Sequence, residues 1–331
     1  MKINTRAKKR INIGFAVCAM LIALCSSAEA QQPKKIYRIG YLTTGSVASG
    51  ASNRKAFIDA LRQLGYIEGQ NLLIESRYAD GRDDRLPELA ADLVRLKVDV
   101  ILAGATQATI AAKNASGTLP IVMATSSDPL GRGLAENLSR PGKNVTGFST
   151  MSVELTGKRL EIFRDAVPRV RRLGVLWYGR GNISFQQIQK AAQPFDFTCI
   201  SLEVSQPEDF ESAFTLAGRE RIESLFTSSG AFMTAHRKRI LEFAAKNKLP
   251  AIYHQEQFVE DGGLMSYSVN VRDLYRHAAT YVDKILRGTK SVDLPVEQPT
   301  KFELAINLKT AKQIGVTIPQ SVLYQADKVI K

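Results

Sequence analysis

The sequence predicts an α/β protein of two similar halves, each built on a parallel sheet with helices on both faces. Three observations carry this. Apolar, β-rich segments alternate with amphipathic helical segments, the pattern of βαβ units. The strand segments are continuously apolar rather than alternating, so both faces of each sheet are covered. The pattern also restarts midway: Arg38-Ile39-Gly40-Tyr41-Leu42 returns as Arg172-Leu173-Gly174-Val175-Leu176. A length of 331 residues fits two domains.

In the first half, Ile36–Thr44 reads as a strand. Phe57, Ala60, Leu61 and Leu64 make one stripe of a helix over Ser52–Leu64, stopped by Gly65. A strand at Asn71–Tyr78 precedes a helix carrying Leu86, Leu89, Ala90, Leu93 and Leu96. Then come a strand at Val98–Ala103, a helix at Gly104–Ala112, and strands at Leu119–Thr125 and Val145–Ser149. The second half opens with a helix at Val153–Ala166 and a strand at Arg172–Tyr178. A helix at Asn182–Ala192 and a strand at Phe197–Val204 follow. The next helix, Pro207–Arg219, starts on a proline suited to a first turn. Ser224–Thr227 is a strand, Thr234–Asn247 a helix, and Pro250–His254 and Leu264–Val269 strands. Leu274, Ala278, Tyr281, Val282 and Ile285 stripe one more helix, ended by Gly288. No low-complexity linker separates the halves, so short connections hinge two lobes over a cleft.

The first thirty residues read as a secretory signal. Met1–Arg10 is basic, Ile11–Cys25 is apolar, and Ala28-Glu29-Ala30 supplies small residues for cleavage after Ala30. Such an apolar run spans about 22 Å as a helix, short of the ~30 Å hydrocarbon core. Leu24 before Cys25 does not suit lipid attachment. Removal leaves 40 Lys+Arg against 31 Asp+Glu, a charge of +9, and no further run long enough to cross a bilayer. The expectation is a soluble periplasmic protein. Cys199 is then the only cysteine, without a disulfide partner, and reads as a small buried hydrophobe. No basic cluster is interleaved with aromatics and no helix-turn-helix precedes the first half, so a nucleic-acid partner is not expected.

Motifs for chemistry are missing. Thr156-Gly157-Lys158 lacks the upstream glycine of a phosphate loop, and Glu136 stands where G-x-G-x-x-G needs its third glycine. Gly147-Phe148-Ser149-Thr150-Met151 fails as a nucleophile elbow at its last position. His236, His254 and His277 match no metal spacing. No catalytic residue, metal or cofactor is expected. Polar residues recur at strand ends instead. The set expected to bind a ligand is Thr43, Thr44, Thr106, Gln107, Ser126, Ser127, Asp128, Thr150, Tyr178, Ser228, Ser229, Glu256 and Tyr267. Hydroxyls and amides suit a carboxylate or an ammonium. Helices starting at Thr106 or Ser127 would favour an anion, although each of these residues also suits simple N-capping. Asp128 or Glu256 could meet an amine. Tyr178 and Tyr253 could stack on a planar ligand, while strand alternation turns Trp177 inward.

Several segments resemble a bacterial family. They include Ile39-Gly40-Tyr41-Leu42, Leu64-Gly65-Tyr66-Ile67-Glu68-Gly69-Gln70-Asn71, Asp128-Pro129-Leu130-Gly131, Arg140-Pro141-Gly142-Lys143-Asn144-Val145-Thr146-Gly147 and Leu294-Pro295-Val296-Glu297. Together they are similar to ABC-transporter substrate-binding proteins, some of which bind aromatic amino acids. The likeness runs from about Ile36 to Pro319. It implies a type I periplasmic-binding architecture: two Rossmann-like, doubly wound lobes joined by three crossovers, the third sending Val271–Arg287 back to the first lobe. The lobes would be 31–148 plus about 268–290, and 149–267 plus about 291–331. Such a protein captures a small polar solute, an amino acid or small carboxylate, and delivers it to a membrane permease driven by an ATPase. The alternative is presentation of ligand to a membrane receptor kinase. A monomer is the default expectation. Many relatives carry Thr-Pro where this chain has Thr106-Gln107, and an Asp where it has Ser229 or Gly230, which removes one partner for an amine.

Overall fold

The computed structural model describes residues 35–180 and 183–331; the expected signal segment lies outside the described residues. Two sheets organise the chain. The first contains β1 (Tyr37–Thr43), β2 (Leu72–Tyr78), β3 (Val100–Ala103), β4 (Ile121–Ser126), β5 (Val145–Ser149) and β11 (Val296–Glu297). Their order is β11-β5-β4-β3-β1-β2, parallel throughout. The second contains β6 (Arg172–Tyr178), β7 (Thr198–Val204), β8 (Ser224–Thr227), β9 (Ala251–Tyr253), β10 (Met265–Ser268), β12 (Glu303–Asn307) and β13 (Lys328–Ile330). Their order is β13-β12-β10-β9-β8-β6-β7, with β10 and β12 antiparallel. The orders β2-β1-β3-β4-β5 and β7-β6-β8-β9-β10 match. The restart in the sequence is therefore a restart of topology.

Twelve helices among the described residues cover the sheets. They are α1 (Val47–Gln63), α2 (Leu86–Arg95), α3 (Thr106–Ala115), α4 (Thr156–Ala166), α5 (Phe185–Ala192), α6 (Asp209–Arg219), α7 (Ala231–Ala235), α8 (Arg237–Lys246), α9 (Glu256–Glu260), α10 (Val271–Leu286), α11 (Leu308–Ile314) and α12 (Gln320–Leu323). Strand alternation divides each lobe's core in two. Ile39, Tyr41, Val100 and Leu102 pack with Phe57 and Leu61 of α1 and Leu274, Tyr281 and Val282 of α10. Leu42, Ile101, Ala103 and Met123 face the other way, onto Leu86 and Leu93 of α2 and Ala108 of α3. In the second lobe, Leu173 and Val175 meet Leu160 and Phe163 of α4, whereas Leu176 and Tyr178 meet Phe210 of α6 and Phe232 of α7. Both sheet faces are covered, as uninterrupted apolar strands require.

The chain passes between lobes three times, after β5, after β10 and after β11. Because Val296–Glu297 pairs with Gly147 and Phe148 of β5, the first sheet's share of the chain runs past the expected boundary near 290.

Some elements differ from expectation for local reasons. Helix α1 starts five residues earlier, at Val47, because Ser46 and Ser49 form a reciprocal capping box. The helix expected over Thr234–Asn247 is two: His236 ends α7 and opens α8, its ring against Phe232 and Phe210 at 4.7 and 5.3 Å. Helix α6 starts at Asp209 rather than Pro207. Trp177 packs against the second lobe's core and donates to Ser201 Oγ at 2.9 Å.

Candidate functional site

In doubly wound sheets, ligands bind beyond the carboxyl ends of strands where the chain switches direction. Here those ends are Thr43–Gly45 after β1 and Gly104–Gln107 after β3, opposite Tyr178 of β6 and Ser229–Phe232 after β8. All line one cleft between the lobes. Ser49, Gly50 and Asn53 of α1, Thr125, Ser127, Thr150 and Ser152 add to it, as do Thr234, His254, Gln255 and Tyr275.

The walls are held by their own hydrogen bonds. Thr150 N–H donates to the Ser126 carbonyl at 2.7 Å, and its hydroxyl reaches Ser152 Oγ at 3.0 Å. Thr125 Oγ1 donates to the Gly104 carbonyl at 2.8 Å. Gly104 is a position that needs glycine, because a Cβ there would stand 2.6 Å from the Tyr275 hydroxyl. Helix α3 starts at Ala105 with no side-chain cap, so its N-terminus opens on the cleft with Thr106 and Gln107. The Thr44 hydroxyl is buried and finds no hydrogen-bond partner among the described residues.

Among the described residues, the lining includes no Asp, Glu, Lys or Arg. His254 is neutral: burial, then the charge of Arg159, push its pKa down to about 3. Its ring nitrogens meet Thr234 Oγ1 at 3.1 Å and Thr227 Oγ1 at 3.5 Å. Arg159 of α4 lies behind the lining and is 1% exposed. It donates to the carbonyls of Tyr267 (2.8 Å) and Ser152 (3.0 Å) and to Ser229 Oγ (3.1 Å). Burial lowers its pKa only to about 10, so the guanidinium stays charged at neutral pH.

The lobes touch across the mouth. The Tyr178 hydroxyl, whose ring stacks on Phe232 at 4.4 Å, donates to Asp83 Oδ2 at 2.9 Å. Burial raises the Asp83 pKa. Gln257 Nε2 reaches the Ser49 carbonyl at 3.3 Å, and Gln107 Nε2 the Arg180 carbonyl at 3.4 Å. No group of His, Cys, Asp and Glu able to hold a metal occurs among the described residues.

Comparison with known proteins places this architecture. The family model described as ABC transporter substrate binding protein matches residues 46–330. The chain belongs to the ABC transporter substrate-binding protein family. A tyrosine-binding protein of Clostridioides difficile (strain R20291) is 27% identical over 268 residues, 80% of this chain and 76% of that protein. A crystal structure of an ABC domain in complex with L-Trp from Streptococcus pneumonia superposes with a TM-score of 0.81 at 26% identity, covering 89% of this chain and all of the other. A conserved domain protein from Vibrio cholerae gives 0.83 at 25% identity with the same coverage. This substrate-binding protein is accordingly a binder of solutes and not an enzyme, with the two-lobed fold of its relatives.

Of the residues expected to face a ligand, this substrate-binding protein brings Thr43, Thr44, Thr106, Gln107, Ser127, Thr150, Tyr178 and Ser229 to the cleft. Five stand elsewhere. Ser126 supports the wall through Thr106 Oγ1 at 3.3 Å and through Thr150. Ser228 Oγ accepts from the Tyr178 N–H at 3.2 Å. Asp128 Oδ1 accepts from the Gly131 N–H at 2.8 Å and shapes a turn. Glu256 pairs with Arg272 at 3.2 Å and Lys328 at 2.5 Å. Tyr267 offers its carbonyl to Arg159, and its ring lies against Phe302. Tyr253 is buried against Phe258, with ring centroids 4.7 Å apart, rather than open to a ligand. Sequence reasoning missed Ser49, Asn53, Ser152, Thr234 and Tyr275. An earlier start for α1 would have found Ser49; Tyr275 meets the first-lobe loops from 171 residues away, with no local signal.

Proposed function

We propose that this protein is the extracytoplasmic solute receptor of an ABC importer. The observation that carries the reading is the cleft itself. It is lined from both lobes by uncharged hydrogen-bonding groups at strand ends, and the lobes already meet at its mouth through Tyr178 and Asp83. A small polar solute, an amino acid or another small carboxylate, would be gripped by both walls, and the three inter-lobe connections would act as the hinge. The names of the tyrosine-binding relative and of the L-Trp complex support that solute class. The basic and apolar N-terminal segment supports secretion to the periplasm, with cleavage after Ala30. A monomer would then hand the solute to a membrane permease powered by a cytoplasmic ATPase.

The experiment is a thermal-shift screen of the purified chain, residues 31–331, against amino acids and small carboxylates. A ligand at 100 times its Kd should add about 2.7 kcal/mol of stability. Uptake of that solute should fall when the gene is deleted. If uptake is unchanged but a transcriptional response to the solute is lost, the protein serves a sensor instead. If no solute moves the melting transition, the receptor reading fails.

A further inference from the structure

The charges around the cleft do not balance. None lies in the lining, so the next layer decides the field. Arg237, behind the Thr234 carbonyl, is neutralised by Asp261 at 2.5 Å. Arg272, next to Val271, is held by Glu256 and Glu260 at 3.2 and 2.9 Å. Asp83 accepts from Tyr178, and its Oδ1 is likewise buried without a partner among the described residues, but it lines a separate depression with Asp84 and Arg180. Arg159 stands behind the cleft itself. It sits against two lining residues, Ser152 and Ser229, and all of its partners are uncharged. Its Nη2 is buried and has no hydrogen-bond partner among the described residues. On the opposite wall, the lining residue Thr44 also has a buried, unpartnered hydroxyl, and α3 presents an N-terminus without a side-chain cap. An uncapped N-terminus and an unopposed guanidinium both favour negative charge.

We infer that the cleft selects an organic carboxylate that carries no ammonium group, an inference that rests on the solute-receptor reading above. A carboxylate would supply the counter-charge Arg159 lacks and accept from the donors around it. The ammonium of an α-amino acid would find hydroxyls and amides, but no carboxylate in the lining, and would be repelled by Arg159. An aryl or alkyl chain would lie toward Tyr178, Phe232 and Tyr275, which also line the cleft.

The test uses matched pairs that differ by the amine alone: L-tyrosine and 3-(4-hydroxyphenyl)propionate, L-tryptophan and indole-3-propionate, and L-leucine and 4-methylpentanoate. Each is titrated calorimetrically into the purified chain at pH 7. The deaminated member of the best-binding pair is expected to bind about tenfold tighter or better. Equal or tighter binding of the amino acid overturns the inference and leaves the receptor reading intact. Arg159→Gln is expected to erase the preference. Since that side chain is fully buried, Ser229→Asp gives an independent arm. It sets a carboxylate beside Arg159 and is expected to lower the acid-over-amino-acid preference about tenfold. An unchanged ratio in Ser229→Asp overturns the inference. Should sugars or polyols shift the melt while neither member of any pair binds, the carboxylate inference falls alone. If no solute of any class does so, the receptor reading falls with it.

Discussion

At His254 the environment sets a measurable pH response. Burial, then the charge of Arg159, hold the folded-state pKa near 3, while the unfolded chain titrates near 6.5. Between these values the unfolded state binds the extra proton, so stability is full above about pH 6.5 and is lost as pH falls toward 3. At pH 5 the loss from this residue should be about 2 kcal/mol. Urea unfolding at pH 7 and pH 5 checks it: His254→Gln should reduce the difference between the two pH values by about that amount. Cys199 offers a second test. Burial pushes its thiol up to about 11, so little thiolate forms at pH 8. A thiol reagent should label it slowly in the folded protein and at least tenfold faster in denaturant. Residue-scale legibility was uneven. Thr43, Thr106 and Ser229, expected from hydroxyls that follow apolar strands, do line the cleft. Asp128 and Glu256 were not, because a carboxylate's partner, a turn amide or a distant lysine, is invisible until the chain folds.

At the scale of elements, strand and helix periodicity located the two repeated halves, and boundaries failed where short polar side chains decided them. Ser46 and Ser49 form the capping box of a helix expected to start only at Ser52, which hid Ser49 from the site. The short elements α9, β11 and β13 carry too few residues for any period to show. Gly147 of β5 illustrates a motif with a backbone cause. Its φ is +129°, and a Cβ there would lie 2.1 Å from the Met123 carbonyl oxygen on β4. Gly147→Ala should therefore disrupt the β4–β5 pairing and cost about 3 kcal/mol or more, read as a lower urea midpoint. Phe57 is the corresponding apolar test. It is fully buried between β1 and α10, and Phe57→Ala should cost about 3–5 kcal/mol by the same measurement.

For the whole molecule, the inter-lobe contacts make a testable balance between open and closed arrangements. Asp83 is half-buried between the lobes, and the Tyr178 hydroxyl supplies its hydrogen bond. Tyr178→Phe leaves that half-buried carboxylate without its donor, a cost of about 1.5 kcal/mol, enough to shift the population toward open by about tenfold. Asp83→Asn keeps an acceptor for Tyr178 and removes the charge, so its radius of gyration should match wild type while that of Tyr178→Phe rises in X-ray scattering. The two-lobed architecture was legible because the sequence repeats its own opening strand. The contact between lobes was not, because Asp83 and Tyr178 are 95 residues apart.

Helix α10, which covers the first sheet, and strand β11, which belongs to it, are encoded after five of the second sheet's seven strands. Until residues 271–297 have left the ribosome, Ile39, Phe57 and Val100 lack the helix that covers them. A nascent chain therefore has no finished half to lock prematurely.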